Sequence, residues 1–170
     1  MISLTPAMLL AASLLGHAAP PEHAYDLARD VVDVAATEEP LFACSPVFAH
    51  PESCDAARAK TALLLTIWTF RESSGKADVW GDNHTSVGAM QFKAAYLQHE
   101  ALSGYGMTVD DVLGSRRVAL RLGLAWMRYL RGVCGGSVKR ALYAYASGSC
   151  AGSMPVREKV AARCAYAGGC

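Results

Sequence analysis

Apolar residues recur at three- and four-residue steps along most of the chain, which predicts a mainly helical protein. The predicted helices cover about 22–37, 56–72, 93–102, 115–133, 138–146 and 155–165. Between 77 and 89 the sequence ADVWGDNHTSVGA combines turn-forming residues with short β-like pieces, which predicts a small hairpin or an irregular insert. The expected fold class is therefore mainly α, in an α+β arrangement with one small β insert among surrounding helices.

The helix predicted over 56–72 is strongly apolar and ends in one acid, Glu72. Ten of its seventeen residues are apolar, and its second half is apolar nearly all round, so we expect it to be the central buried helix. The partial negative charge of a helix lies at this end. Burial and this charge both disfavour the carboxylate anion, and a protonated carboxylic acid is what a general acid needs. A side chain that frays into solvent is the alternative.

Composition divides the chain into three predicted regions. Residues 1–19 contain a short apolar stretch and a small-residue cleavage site, which predicts a signal peptide, although no Lys or Arg precedes Arg29. A buried or lipid-touching helix is the alternative. Residues 20–55 are predicted to form an acidic helix and a proline-rich loop, with eight acids and one arginine. Residues 56–170 carry fifteen basic residues and seven acids and are predicted to form the main domain.

Six cysteines occur without a C-x-x-C pair or a histidine at zinc-finger spacing, so a zinc site is not expected. An even number of cysteines behind a candidate signal peptide predicts disulfides, and therefore a secreted or periplasmic protein. Many pairings are possible, and Cys44–Cys54, which closes a short loop, is the pairing that we predict first. Buried free thiols in a cytosolic protein are the alternative.

The basic main domain suits an anionic polymer such as bacterial wall, nucleic acid or a membrane surface. Nucleic acid is disfavoured because exposed aromatic residues do not alternate with the basic ones, and the apolar N-terminal run is too short to span a bilayer. In the helix predicted over 115–133, four arginines fall within an arc of about 80°, which predicts a solvated face or a contact with wall or phosphate. These are Arg117, Arg121, Arg128 and Arg131.

Short motifs follow the central helix in a defined order. They are ES at 72–73, GD at 81–82, GAMQ at 88–91 and AYASG at 144–148. Over about 61–150 this order resembles the active-site segment of goose-type lysozymes and soluble lytic transglycosylases, which have GLMQ and AYNAG. The resemblance implies a lysozyme-like fold and cleavage of the β-1,4 bond between MurNAc and GlcNAc in peptidoglycan.

The resemblance also implies roles for individual residues. Glu72 is the general acid and base, and Tyr145 lies beside it and holds its carboxyl group. Asp82 is the candidate that places water for hydrolysis. The residues implied in binding or shaping the glycan groove are Ser73, Gly88, Met90 and Gln91.

The residue types fit these roles, and each has a structural alternative. Gly88 keeps a side chain off a groove floor, and Gln91 offers both a donor and an acceptor to sugar groups. Met90 fits core packing better. A turn residue is the alternative for Asp82, and ordinary packing is the alternative for Tyr145 and Gln91.

The chain departs from the family pattern at two places. Ala146 replaces the asparagine of AYNAG, so a polar contact is lost or supplied by Ser147, and Lys93 lies where the goose-type pattern has an aspartate after MQ. Inverting hydrolysis needs a second carboxylate, whereas a lytic transglycosylase uses one glutamate and the C6 hydroxyl of the substrate. The departures favour the transglycosylase and leave open a non-catalytic module that binds glycan or serves in an envelope or virion. We expect no metal, no cofactor and a monomer.

Overall fold

The computed structural model describes residues 21–44 and 52–170, so the predicted signal peptide and residues 45–51 of the proline-rich loop lie outside the described residues. The elements are α1 (Pro21–Thr37), α2 (Glu52–Ser73), β1 (Trp80–Gly81), β2 (Ser86–Val87), β3 (Phe92–Lys93), a 3-10 helix (Ala94–Gln98), α3 (Glu100–Ser103), α4 (Val109–Gly114), α5 (Arg116–Val133), α6 (Val138–Ser147) and α7 (Met154–Tyr166). The strands form one antiparallel sheet in the order β1-β2-β3. The prediction of a mainly α protein with a small β insert is confirmed.

Helix α2 is the central buried helix, as predicted, and it packs against α1, α5 and α7. Leu64, Leu65, Ile67 and Trp68 are fully buried on it. The hydroxyls of the buried Thr61 and Thr66 donate to backbone carbonyls one turn earlier, as Thr66 does to Ala62 at 2.9 Å, and the hydroxyl of Thr69 donates to the sulfur of Met90. The helix therefore passes through the core and brings Glu72, in its last turn, to the edge of the molecule.

The arginine side of α5 forms ion pairs with α1 and with the residue that follows it. Acidic helix α1 packs on it, and Arg116 and Arg117 both bind Asp30, at 2.9 and 2.7 Å. Arg121 binds Glu38 at 2.8 Å. Arg117 and Arg121 keep 49% and 45% of their side-chain surface exposed, which agrees with the predicted solvated face. The excess acid of the N-terminal region nevertheless pairs with the excess base of the main domain.

The helix predicted over 93–102 is confirmed only in part. Phe92 and Lys93 form β3 because they pair with Val87 and Ser86 of β2. The remainder of the predicted range forms a 3-10 helix and the short α3. Cross-strand pairing here overrides the local helical pattern. Helix α4 was not predicted, although its start at Thr108 has a capping box with Asp111.

All six cysteines form disulfides, so the free-thiol alternative is wrong. The predicted Cys44–Cys54 pair is confirmed. The other two bridges, Cys134–Cys150 and Cys164–Cys170, close loops at the ends of α5 and α7. Three bridges are typical of proteins from oxidising compartments. Within the part of the chain that the structure describes, no helix is long and apolar enough to cross a membrane.

Candidate active site

An open cleft of about 450 Å³ lies beside the C-terminal end of α2. Four residues predicted from the motifs line it, namely Glu72, Asp82, Gln91 and Tyr145. They come from three separate parts of the fold: the end of α2, the β1–β3 segment and α6. The other predicted site residues, Ser73, Gly88 and Met90, do not line this cleft.

The carboxylate of Glu72 is mostly buried and is held by two cations. Its side chain is 18% exposed, and its Oε1 accepts a hydrogen bond from Nη1 of Arg163 at 2.5 Å. Nζ of Lys159 lies 3.6 Å from the same oxygen. The side chain therefore does not fray into solvent, and one position of its carboxylate is fixed by a charge-assisted hydrogen bond.

The ring of Trp68 contacts the arginine of this ion pair. Its side chain is fully buried one turn before Glu72, and the guanidinium of Arg163 lies 4.1 Å from the centroid of its ring. The ring of Tyr145 meets Trp68 edge-on, with centroids 5.4 Å apart. Cation–π and edge-to-face contacts of this kind fix the directions of both partners, so Arg163 is a rigid neighbour of the carboxylate.

The charges beside the Glu72 carboxylate are positive, because Arg163 and Lys159 both approach it. The sequence indicated the burial of this helix end but neither of the two cations. Burial lowers the pKa of the Arg163 guanidinium, whereas the charge of Glu72 opposes that change. The carboxylate and the guanidinium thus stabilise each other's charged forms.

Tyr145 lies in the cleft, but its hydroxyl does not hold the Glu72 carboxyl group. The hydroxyl donates to the backbone carbonyl of Met90 at 2.9 Å. Burial raises the pKa of Tyr145 well above its usual range, and the negative charge of Glu72 adds to the rise. Tyr145 therefore stays neutral at physiological pH and ties α6 to the GAMQ segment, with its ring beside the site.

Asp82 lines the cleft as an ionised carboxylate. Its Oδ2 accepts from Nζ of Lys93 at 2.9 Å and from the hydroxyl of Ser86 at 2.8 Å. These two hydrogen bonds hold the pKa of Asp82 below its usual range. Lys93 thus adds a positive charge to this part of the cleft.

Gln91 binds the loop around it. Its Nε2 donates to the carbonyls of Val79 at 3.0 Å and Gly88 at 2.8 Å, so both amide hydrogens are used within the protein. A Cβ atom at Gly81 would lie 2.0 Å from its Oε1. The GD and GAMQ motifs are therefore packed together, and Gln91 holds one wall of the cleft in place.

The same wall contains unusual backbone conformations. Among the described residues, the non-glycine positions with positive φ are Ser74, Asp82, Asn83, His84 and Gln91. All of them lie between the end of α2 and the end of the GAMQ motif. Left-handed conformations of this kind are costly and cluster at functional sites, which independently marks this segment as a candidate site.

Three of the predicted binding residues have structural positions instead. The hydroxyl of Ser73 donates back to Thr69 at 3.1 Å. Gly88 is not on a groove floor: a Cβ there would lie 2.6 Å from Val112 of α4, and its φ is +72°. Met90 is fully buried, as expected if it packs in the core. These three residues therefore pack behind the cleft wall and do not line the cleft itself.

Aromatic side chains complete the cleft. The rings of Tyr96 and Trp126, which both line it, stack with centroids 4.4 Å apart. Trp126 continues the stack to Tyr129 at 5.0 Å. Trp126 is 6% exposed, so the partly exposed Tyr96 is the ring of this stack that a sugar could contact. Ser147, beside Ala146 in the cleft, donates its hydroxyl to the carbonyl of Tyr143 at 2.8 Å.

Comparison with family models, with curated proteins and with solved structures found no match in any of the three. Function must therefore be inferred from the cleft itself and from the motifs that line it.

Sequence reasoning missed the cations of this site. Lys159 and Arg163 lie four residues apart on α7, so they share one helix face, and this spacing was a usable signal. It did not reveal which acid the pair would meet, because Glu72 lies 91 residues from Arg163 in the chain. The aromatic stack was missed for a similar reason, since it joins the 3-10 helix to α5.

Proposed function

We propose that this protein is a lysozyme-like enzyme that cleaves the β-1,4 bond between MurNAc and GlcNAc in peptidoglycan. The observation that carries the proposal is the position of Glu72, a mostly buried carboxylate at the end of a core helix that opens into a polar and aromatic cleft. The motifs that line the cleft, and three disulfides typical of an exported protein, support the same assignment.

The proposed reaction is that of a lytic transglycosylase. Glu72 gives its proton to the bridging oxygen as the bond from C1 of MurNAc to that oxygen breaks. The C6 hydroxyl of the same MurNAc then attacks C1, and its proton passes to Glu72. The products are a 1,6-anhydro end and a free GlcNAc hydroxyl, and the enzyme ends with the proton it began with. The pairing of Asp82 with Lys93 supports this route over hydrolysis, because Lys93 and Ser86 hold one oxygen, Oδ2, of the candidate water-placing carboxylate.

The acid step requires a proton on Glu72, which solvent supplies as substrate binds. Glycan that fills the cleft displaces water from around the carboxylate, which favours the neutral acid. Trp68 keeps the guanidinium in place through this change, so it remains available when Glu72 returns to the anion.

Digestion of purified peptidoglycan, followed by mass spectrometry of the soluble products, tests the reaction. We expect disaccharide peptides with 1,6-anhydro ends, each lighter by one water than the product of a lysozyme. Products with reducing ends would show that water is the acceptor and that Asp82 or another group places it. Reduction with borohydride is the matched control, because only reducing ends change in mass.

A non-catalytic glycan-binding or structural module is the second candidate. It is favoured by the ion pairing of both cleft acids, Glu72 with Arg163 and Asp82 with Lys93. A protein that sediments with peptidoglycan and releases no soluble fragments at any enzyme concentration would establish this candidate and exclude the first.

A further inference from the structure

A second cleft, of about 400 Å³, lies next to the candidate active site. It is lined by Ile67, Arg71, Lys159, Ala162, Arg163 and Tyr166. Lys159 lines both clefts, and Arg163 of the second cleft is the residue that binds Glu72. The two clefts are therefore neighbours that share their cations, and a ligand that extends from one reaches the other.

The second cleft is strongly positive. Three of its lining residues are cations, and the nearest acid is Glu72, which approaches Lys159 and Arg163 from the first cleft. Arg71 is exposed and, within residues 21–44 and 52–170, forms no ion pair. Its charge adds to the burial that lowers the pKa of Arg163. An anion between these side chains relieves their mutual repulsion.

The remaining lining residues suit an organic anion better than a free ion. Ala162 is exposed, Tyr166 is 47% exposed, and Ile67 is fully buried behind them. An aromatic side chain and an aliphatic group beside cationic donors fit a short peptide, whose carboxylate takes the donors and whose side chains contact the apolar surface.

We infer that the second cleft binds a carboxylate of the stem peptide that is attached to the MurNAc next to the bond being cleaved. This inference rests on the proposed function and extends it. A glycan strand in the first cleft carries its peptide on the lactyl group of MurNAc, and Lys159 connects the two binding regions. Arg71 and Lys159 bind the peptide carboxylate, while Arg163 contacts both that carboxylate and Glu72. Substrate with a peptide is therefore distinguished from bare glycan by these cations.

The test compares two substrates and two variants. Purified glycan strands with intact stem peptides are digested in parallel with strands from which an amidase has removed the peptides. Arg71→Gln removes one cation without cutting into the core, since Arg71 is exposed. Arg140→Gln is the matched control, because Arg140 is exposed and lines neither cleft. We expect Arg71→Gln to raise KM for peptide-bearing strands about five- to tenfold, with kcat and the KM for bare strands unchanged.

The experiment distinguishes failure of this inference from failure of the proposed function. If wild-type protein cleaves both substrates and Arg71→Gln changes KM for neither, or for both equally, the second cleft does not recognise the peptide and this inference is overturned. If wild-type protein cleaves neither substrate, the proposed function fails. Binding is then measured by calorimetry with N-acetylmuramyl-L-alanyl-D-glutamate and with its diamide. Equal affinity for the two, or equal affinity in wild type and Arg71→Gln, also overturns the inference.

Discussion

Glu72→Gln is expected to lower the release of soluble muropeptides from purified peptidoglycan about a thousandfold. Glutamine has nearly the same size and shape, but it cannot give a proton to the bridging oxygen or take one from the C6 hydroxyl. The variant also removes the carboxylate that pairs with Arg163. Arg163 then remains a buried cation beside Lys159, which carries the same charge. Thermal unfolding must therefore be measured beside activity, and the assay must be run well below the unfolding temperature of the variant.

Glu100→Gln is the matched control for this change. Glu100 is exposed, lies in the first turn of α3 and lines neither cleft, so the same substitution there should leave activity within about twofold. Activity that survives Glu72→Gln in a folded protein would show that another group provides the proton. Loss of activity in both variants would point to a general effect on the fold.

Arg163→Met is expected to have the second largest effect. The side chain of Arg163 is 4% exposed, so its loss removes a buried ion pair with Glu72 and a contact with Trp68. Lys159 still compensates the carboxylate, which reduces the cost of a broken buried pair to about 2 kcal/mol of unfolding free energy. We also expect kcat to fall about tenfold or more with KM for bare glycan little changed, because Glu72 loses the contact that fixes its carboxylate.

Two further variants separate positioning from packing. Arg163→Lys keeps the charge but loses the planar contact with Trp68, and it should restore part of kcat. Arg140→Met changes an exposed arginine and should alter the unfolding free energy by less than about 0.5 kcal/mol. If Arg163→Met loses stability but retains full kcat, Arg163 is a structural residue only, and the proposed link to Glu72 is wrong.

The long helices could be predicted because each buries one face of a regular pattern. Apolar spacing located α1, α2 and α5–α7 to within a few residues, and the prediction failed where pairing decided the structure. Phe92 and Lys93 have no local signal for a strand; they form β3 because β2 lies beside them. The contact of α1 with the arginines of α5 likewise depends on Asp30 and Glu38, whose partners lie more than 80 residues away.

The candidate site, too, could be predicted only in part from the sequence. Short motifs predicted Glu72, Asp82, Gln91 and Tyr145 correctly as neighbours, because they lie on segments with defined order and spacing. The hydroxyl partner of Tyr145 was wrong, since the Met90 carbonyl competes for it. Arg163 could not be assigned, because no local pattern records that α7 crosses the end of α2. That residue nevertheless determines the electrostatic surroundings of the proposed acid.

The most direct test of the central claim is a crystal structure of Glu72→Gln with a bound MurNAc–GlcNAc oligosaccharide. We predict that the glycan occupies the cleft beside α6, with a bridging oxygen within about 3.2 Å of the side-chain amide at position 72. A glycan bound elsewhere, or one whose bridging oxygens all lie beyond hydrogen-bond reach of that amide, would contradict the assignment of Glu72 as the acid.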